Sequence, residues 1–161
     1  GDTNAATKHV AKHLDDGVPL LALVDYDNTA VKTSVDVARA LGERLWGVRI
    51  DTSEHMVDAS LLKQLGTFRP TGVNPQLVWN VRNALDEEGF GDVQIVVSGG
   101  IDADRVREFE EEGAPVDAFA VGSAAYRGTF DFTADVVLVE GKPEARAGRE
   151  LSENDKLERV K

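Results

Sequence analysis

Acidic or glycine-containing segments follow each of four apolar stretches in this 161-residue sequence: Asp25–Asn28, Asp51–Glu54, Ser98–Gly100 and Gly122–Ser123. Glycine lets the main chain approach an anion, and a helix that begins after it directs N–H groups at the same point. The last two segments therefore predict a phosphate site, and the alternative is that their glycines only shape tight turns. The predicted phosphate-binding residues are Ser98, Gly99, Gly100, Gly122 and Ser123.

Three carboxylates and one arginine accompany these segments. Asp25 and Asp51 suit Mg²⁺ or ribose hydroxyls if they lie close together. Asp27 has the same potential, but helix capping or solvation explains it and Asn28 equally well. Arg49 interrupts an apolar stretch. It needs an anion if it points into a barrel, and otherwise it extends outward past a helix.

Other charged side chains are expected to be solvated. His9 and His13 have the i, i+4 spacing of a metal site on one helix, but no third ligand accompanies them. His55 lies in a loop, where contact with a substrate is the less favoured alternative. Arg105 and Arg107 stand among glutamates in a predicted helix, which is typical of a solvated face. Both tryptophans, Trp46 and Trp79, are expected to be core or packing residues.

The apolar stretches have the composition of strands in a parallel sheet that is buried on both faces. They are Pro19–Val24, Leu45–Ile50, Val93–Val97 and Ala118–Val121. Helices are predicted between them, and the clearest has Asn74 as N-cap, Pro75 at its first position and Gly89 beyond its end. The others cover about Asn4–Leu14, Thr29–Leu41, Asp58–Leu65 and Asp102–Gly113. Repeated β-α units of this kind predict an α/β fold.

The C-terminal part changes character. Asp135–Glu140 is predicted to be a strand, Gly141–Pro143 a turn, and Glu144–Gly148 a strand that pairs back antiparallel. The remaining residues are mostly charged, and they are expected to fray. The predicted organisation is a main domain over residues 1–134, a hairpin-like tail over 135–148 and a charged end over 149–161.

Composition excludes several classes of protein. The net charge of −11 disfavours nucleic acid and anionic membranes as partners. The sequence has no cysteine, which excludes disulfides and thiolate chemistry. No apolar run reaches the roughly 18 residues of a membrane span, and no signal peptide is recognised, so a cytoplasmic protein is expected. A complete (β/α)₈ barrel needs about 250 residues, more than the chain has.

Several motifs in this order resemble nicotinate phosphoribosyltransferase over about residues 1–149. They are Asp51–Glu54, Pro70–Pro75, Val96–Gly100, Pro115–Asp117, Val121–Ser123, Asp131–Asp135 and Gly141–Pro143. The quinolinate phosphoribosyltransferases share the Ser-Gly-Gly and Val-Gly strand ends, but do not resemble the Asp-Thr-Ser-Glu and Asp-Phe-Thr motifs.

The resemblance implies a partial, half TIM-like β/α barrel with parallel strands and a short antiparallel C-terminal tail. It implies that nicotinate and phosphoribosyl pyrophosphate form nicotinate mononucleotide, with Mg²⁺ and with ATP as co-substrate, in a homo-oligomer. The chain would supply the C-terminal half of that barrel. The histidine that the family phosphorylates would precede Gly1, so the chain alone is expected to be inactive.

The resemblance also implies roles for individual residues. Gly99, Gly100, Gly122 and Ser123 would hold the 5-phosphate of the ribose. Asp25 and Asp51 would face the ribose and Mg²⁺-pyrophosphate, and Arg49 would line the nicotinate and pyrophosphate side. The alternatives are a quinolinate-type phosphoribosyltransferase and a non-catalytic half-barrel that binds phosphate.

Overall fold

The computed structural model describes residues 2–64, 66, 68–126, 136–144 and 151. The chain divides into two compact units, Gly1–Arg127 and Gly128–Lys161. The described elements of the first unit are α1 (Thr3–Ala11), β1 (Leu20–Leu23), α2 (Ala30–Leu41), β2 (Leu45–Ile50), α3 (Pro75–Glu87), β3 (Gln94–Val97), α4 (Ala103–Glu111) and β4 (Ala118–Phe119). Short 3₁₀ helices cover Gly42–Arg44, Ala59–Leu61 and Ser123–Tyr126.

The four strands form one parallel sheet in the order β1-β2-β3-β4, which confirms the predicted α/β class. Ala22, Val48 and Ile95 lie next to one another in this register and are buried in the core. Leu21 and Leu23 alternate with them on β1, and they remain 38% and 43% exposed. The prediction that every strand is buried on both faces is therefore wrong for β1, since only alternate residues of this strand enter the core.

Helix boundaries follow the local sequence closely. The Asn74 side chain accepts the Leu77 N–H at 3.0 Å, and Pro75 occupies the first position of α3, as predicted. Asp2 caps α1 in the same way and starts it slightly before the predicted residue. The helix predicted over Asp58–Leu65 is only the single 3₁₀ turn Ala59–Leu61.

Asp58 links the segment that follows β2 to the N-terminus of α2. Its side chain is fully buried, and its two oxygens accept the N–H groups of Ala30 at 2.7 Å and Ser60 at 2.9 Å. Thr29, at the N-cap position of α2, makes no capping bond with its side chain. A residue 28 positions from Ala30 therefore satisfies a helix donor that the local sequence leaves open.

The sequence predicted the exposure of some surface side chains correctly and that of others wrongly. His9 and His13 are exposed, as expected, with ring centroids 4.9 Å apart. Trp46 and Trp79 are 40% and 38% exposed, so neither is a core residue. Arg39 pairs with Glu88 and ties α2 to the end of α3, and the hydrogen bond that it donates to the Glu88 carboxylate raises the pKa of the guanidinium.

The described part of the second unit is a short hairpin of β5 (Leu138–Val139) and β6 (Lys142–Pro143). An antiparallel tail was predicted, but its turn lies at Glu140–Gly141, where both residues have positive φ. A two-residue turn of this kind returns the chain earlier than expected, so Lys142–Pro143 forms the second strand. The predicted strand Glu144–Gly148 lies largely outside the described residues, as does the charged end. None of the described helices has the length and apolar character of a membrane span.

Candidate functional site

The carboxyl ends of β1 and β2 are joined by one buried carboxylate. Asp25 follows β1 and is 8% exposed. Its Oδ2 accepts the Asp51 N–H at 2.7 Å and the Thr52 hydroxyl at 2.9 Å. Because hydrogen bonds to an ionised acceptor are strong, Asp25 fixes the first two residues beyond β2. The structure thus brings the two predicted carboxylate residues, Asp25 and Asp51, close together. One carboxylate oxygen of Asp25 is used to hold the main chain at Asp51.

Arg49 connects β2 to the end of β3. Its Nη2 forms an ion pair with Asp51, and its Nε donates to the Ser98 hydroxyl oxygen at 2.9 Å. Ser98 is 3% exposed and donates its own hydroxyl to the Ile50 carbonyl at 3.2 Å. The anion that the position of Arg49 requires is therefore supplied by the chain itself. Both members of the ion pair keep part of their surface exposed, at 41% and 32% of the side chain.

The two glycines after β3 adopt conformations that favour glycine, with φ of +85° at Gly99 and +67° at Gly100. A Cβ atom at Gly99 would lie 2.8 Å from Oδ1 of Asp51, whereas a Cβ at Gly100 would meet nothing within 4 Å. Gly99 is therefore required by close approach as well as by φ. The Asp51 carboxylate stands directly against the predicted phosphate loop.

Gly122 and Ser123 follow β4 at an exposed position. Gly122 accepts the Ala125 N–H at 3.0 Å, and Ser123 begins a 3₁₀ helix. The Ala120 N–H donates to the Val97 carbonyl at 2.8 Å, which keeps the end of β4 beside β3. Neither Gly122 nor Ser123 lines the cavity that contains Gly99 and Gly100.

A cavity of about 600 Å³ opens where the segments after β2 and β3 meet the connection into α3. Asp25 and Arg49 do not reach its wall. The lining comprises Asp51, Thr52, Ser53, Glu54, Arg69, Thr71, Gly72, Val73, Asn74, Gly99, Gly100, Arg105 and Glu108.

The connection into α3 forms a well-braced wall of this cavity. Thr71 pairs with Val57 in an isolated antiparallel bridge, and the Gly72 N–H donates to the Met56 carbonyl at 2.8 Å. The buried Asn74 amide donates to the carbonyls of Pro70 and Gly72, at 3.3 and 3.2 Å. The segment therefore folds back on itself before α3 begins, and this places its polar groups opposite those after β2.

Arg105 is not on a solvated helix face as predicted, whereas Arg107 is exposed. The Arg105 guanidinium donates to the Val73 carbonyl, pairs with Glu108 and lies 5.2 Å from the centre of the Phe109 ring. The prediction failed because the partner carbonyl comes from the connection into α3, 32 residues away in sequence. The sequence signal that could have indicated a role near the site is the position of Arg105, in the first turn of the helix that follows Ser-Gly-Gly.

The predicted Mg²⁺ ligands do not form a metal cage. Among the described residues, no group of three or more His, Asp or Glu side chains is arranged to hold a metal ion. Asp25 uses Oδ2 for its own chain, and Asp51 alone of the two lines the cavity. Mg²⁺ commonly binds through one or two carboxylates together with substrate phosphates, and of the two predicted ligands the cavity offers Asp51.

No family model matches the chain. Its structure is similar to the crystal structure of a nicotinate-nucleotide pyrophosphorylase from Pyrococcus furiosus, with a TM-score of 0.62 and 36% sequence identity. The similarity covers 96% of this chain and 35% of the Pyrococcus chain, so the present chain spans about a third of its neighbour's length.

This comparison shows an α/β fold shared with part of the Pyrococcus enzyme. The neighbour, a nicotinate-nucleotide pyrophosphorylase, is a phosphoribosyltransferase of the quinolinate type, whereas the sequence motifs resemble the nicotinate type.

Proposed function

We propose that this chain carries the ribose-phosphate side of a phosphoribosyltransferase site that forms or cleaves a pyridine nucleotide in NAD biosynthesis. The observation that carries the proposal is the close approach of Gly99 to the Asp51 carboxylate at the cavity. At this point an exposed glycine loop that precedes a helix N-terminus lies against a carboxylate that can face a sugar. The 36% identity to a nicotinate-nucleotide pyrophosphorylase supports the same class of reaction.

In the proposed synthetic direction, the ring nitrogen of the pyridine base forms a bond to the anomeric carbon of ribose while the bond from that carbon to pyrophosphate breaks, and pyrophosphate leaves. The ribosyl group has oxocarbenium character between the two. With quinolinate as the base, the additional carboxylate then leaves as CO₂. The main-chain N–H groups at Gly99 and Gly100 would bind the 5-phosphate and hold the sugar in place. Asp51 would stabilise the developing positive charge, because its position is fixed by Asp25 and Arg49 before substrate binds. No covalent nucleophile is required. Asp51 is the cavity residue that would hold Mg²⁺, which would supply charge neutralisation on the leaving group.

We favour a quinolinate-type enzyme, because the neighbour supports it over the nicotinate type. The nicotinate type remains the second candidate, on the evidence of the Asp-Thr-Ser-Glu motif at Asp51–Glu54. The two bases differ by one carboxylate on the pyridine ring. ATP coupling belongs to the nicotinate candidate alone, and we propose it only with that candidate.

A titration of the chain with ribose 5-phosphate, followed by amide NMR, tests the proposal. Shifts are expected at Gly99 and Gly100, and the prediction for Gly122 and Ser123 is tested in the same spectra. Quinolinate or nicotinate is then added to the saturated sample, and the candidate base is the one that shifts further amides along the cavity wall, such as Thr71. Shifts with ribose 5-phosphate and none with either base would favour a non-catalytic phosphate-binding module. Unmoved Gly99 and Gly100 amides would refute the site.

A further inference from the structure

We propose that Arg69 binds a second anionic group of the substrate, either a carboxylate of the pyridine ring or pyrophosphate. This inference rests on the proposed function and extends it to the other wall of the same cavity. Arg69 lies on the connection into α3, whereas the phosphate loop at Gly99 and Gly100 follows β3. Arg69 therefore adds a cationic side chain, on the opposite wall, to the main-chain donors of that loop.

Pairing within the protein accounts for two of the three carboxylates around the cavity, since Asp51 pairs with Arg49 and Glu108 pairs with Arg105. The third carboxylate, Glu54, is exposed to solvent. Arg69 takes part in none of the ion pairs found among the described residues. Of the two arginines that line the cavity, Arg105 is paired with Glu108, and Arg69 is the one whose positive charge is available to a ligand.

The position of Arg69 is set by one hydrogen bond that leaves most of its donors uncommitted. Its Nε donates to the Thr71 hydroxyl oxygen at 3.1 Å, and Thr71 is itself held in the bridge to Val57. A guanidinium has five N–H donors, four of them on the two terminal nitrogens. In the described part of the chain, neither terminal nitrogen of Arg69 has a hydrogen-bond partner. An oriented pair of such donors matches the two oxygens of a carboxylate or phosphate.

Arg49, which the resemblance assigned to the nicotinate and pyrophosphate side, is less suited to this role. An anion would have to displace the Asp51 carboxylate from Arg49 and the Ser98 hydroxyl from its Nε. Such a displacement would also release Asp51 from the position that it holds against Gly99. Binding at Arg69 requires neither rearrangement. We therefore assign Arg49 to positioning and Arg69 to recognition.

The test compares Arg69→Gln with Arg107→Gln by isothermal titration calorimetry on the full chain. Both substitutions remove one positive charge from an exposed arginine, but Arg107 pairs with Asp104 and does not line the cavity. The probes are inorganic pyrophosphate, quinolinate, nicotinate and ribose 5-phosphate, each used separately. Arg69→Lys is included because it keeps the charge and loses the two-pronged geometry.

The expected result is a loss of about tenfold or more in affinity for pyrophosphate or for the pyridine carboxylates in Arg69→Gln, since hydrogen bonds to charged groups are worth that much. Arg107→Gln should change these affinities less than about twofold because its charge is distant and screened. Arg69→Lys should recover part of the loss. A loss confined to pyrophosphate, or confined to the pyridine carboxylates, identifies the group that Arg69 binds.

Three results would overturn the assignment: unchanged binding in Arg69→Gln, an equal loss in Arg107→Gln, or no binding of pyrophosphate and both pyridines by the unmodified chain. Titration with ribose 5-phosphate distinguishes a failure of the Arg69 assignment from a failure of the proposed function. Its effect on the Gly99 and Gly100 amides should be the same in both variants. If those amides respond and Arg69→Gln has no effect, the phosphate site stands and only the recognition role is lost.

Discussion

Replacing Gly99 with alanine perturbs the candidate site at a single point, and the structure predicts both a stability cost and a binding defect. The residue has φ of +85°, and its new Cβ would lie 2.8 Å from Oδ1 of Asp51. The carboxylate must move, yet it is also bound to Arg49. The substitution therefore opposes the conformation of the loop and the placement of Asp51 at the same time.

Two contributions set the size of the effect. A non-glycine residue at this φ costs about 1–2 kcal/mol of folding free energy. Displacing Asp51 weakens an ion pair that is partly exposed, which adds at most about 1 kcal/mol. The expected loss in the free energy of unfolding is thus about 1–3 kcal/mol. This is a substantial part of the roughly 5–15 kcal/mol that stabilises a typical domain.

Gly100→Ala provides the matched control. Its φ is +67°, but a Cβ there would meet nothing within 4 Å. It should lose only the conformational cost of about 1–2 kcal/mol. Urea unfolding followed by circular dichroism measures both variants, and titration with ribose 5-phosphate compares their binding. Gly99→Ala should bind at least about tenfold more weakly than Gly100→Ala, because a shift of Asp51 also displaces the group that faces the sugar.

A double variant isolates the clash itself. In an Asp51→Ala background the atom that Gly99→Ala would approach is absent, so the two substitutions should be non-additive by about 1 kcal/mol. Strict additivity, or equal stability losses in Gly99→Ala and Gly100→Ala, would refute the claim that close approach to Asp51 dictates glycine at this position.

Asp25→Asn should lower the free energy of unfolding by about 1–3 kcal/mol without any ligand, because it weakens two bonds to a buried acceptor. A stability unchanged by the substitution, measured in the absence of Mg²⁺, would contradict the positioning role. Asp58→Ala should cost about 2–4 kcal/mol in thermal or urea unfolding, since both of its oxygens cap buried or partly buried N–H groups; a loss below about 0.5 kcal/mol would refute its assignment as the cap of α2. The chain should self-associate through the exposed apolar residues of β1, so light scattering should detect a dimer or larger species, and Leu23→Glu should reduce its fraction. A monomer at high micromolar concentration would contradict this.

Local sequence patterns were sufficient for the four parallel strands, for four of the five predicted helices and for the presence of polar groups at strand ends. Asn74 followed by Pro75 defines the start of α3 by interactions within one turn, and such signals are visible in sequence. The capping of α2 by Asp58 is not, because it joins residues 28 positions apart. The hairpin turn at Glu140–Gly141 was displaced because Glu140, a residue without special turn propensity, adopts a positive φ.

The candidate site shows the same division between local and distant interactions. Sequence alone placed Asp25, Arg49 and Asp51 at strand ends and suggested that each meets the substrate. The fold instead engages the first two with neighbouring protein groups, and Asp51 alone of the three lines the cavity. Such partners were hidden from sequence analysis because they come from adjacent strands, whose register must be known before any distance can be assigned.

The ion pairs within the protein determine which groups of the candidate site can bind an anion, and this matters because the protein is acidic. With a net charge of −11, the chain repels anionic substrates at long range, so recognition depends on a few fixed donors. In the proposed site, the main-chain N–H groups at Gly99 and Gly100 would serve this purpose, because they carry no counter-charge within the protein. Arg69 would serve it because it takes part in none of the ion pairs found among the described residues. An arginine paired with Asp51 cannot do so without releasing the carboxylate that it holds in place. The distribution of internal ion pairs, more than the number of arginines near the cavity, thus determines which side chain is free to recognise the substrate.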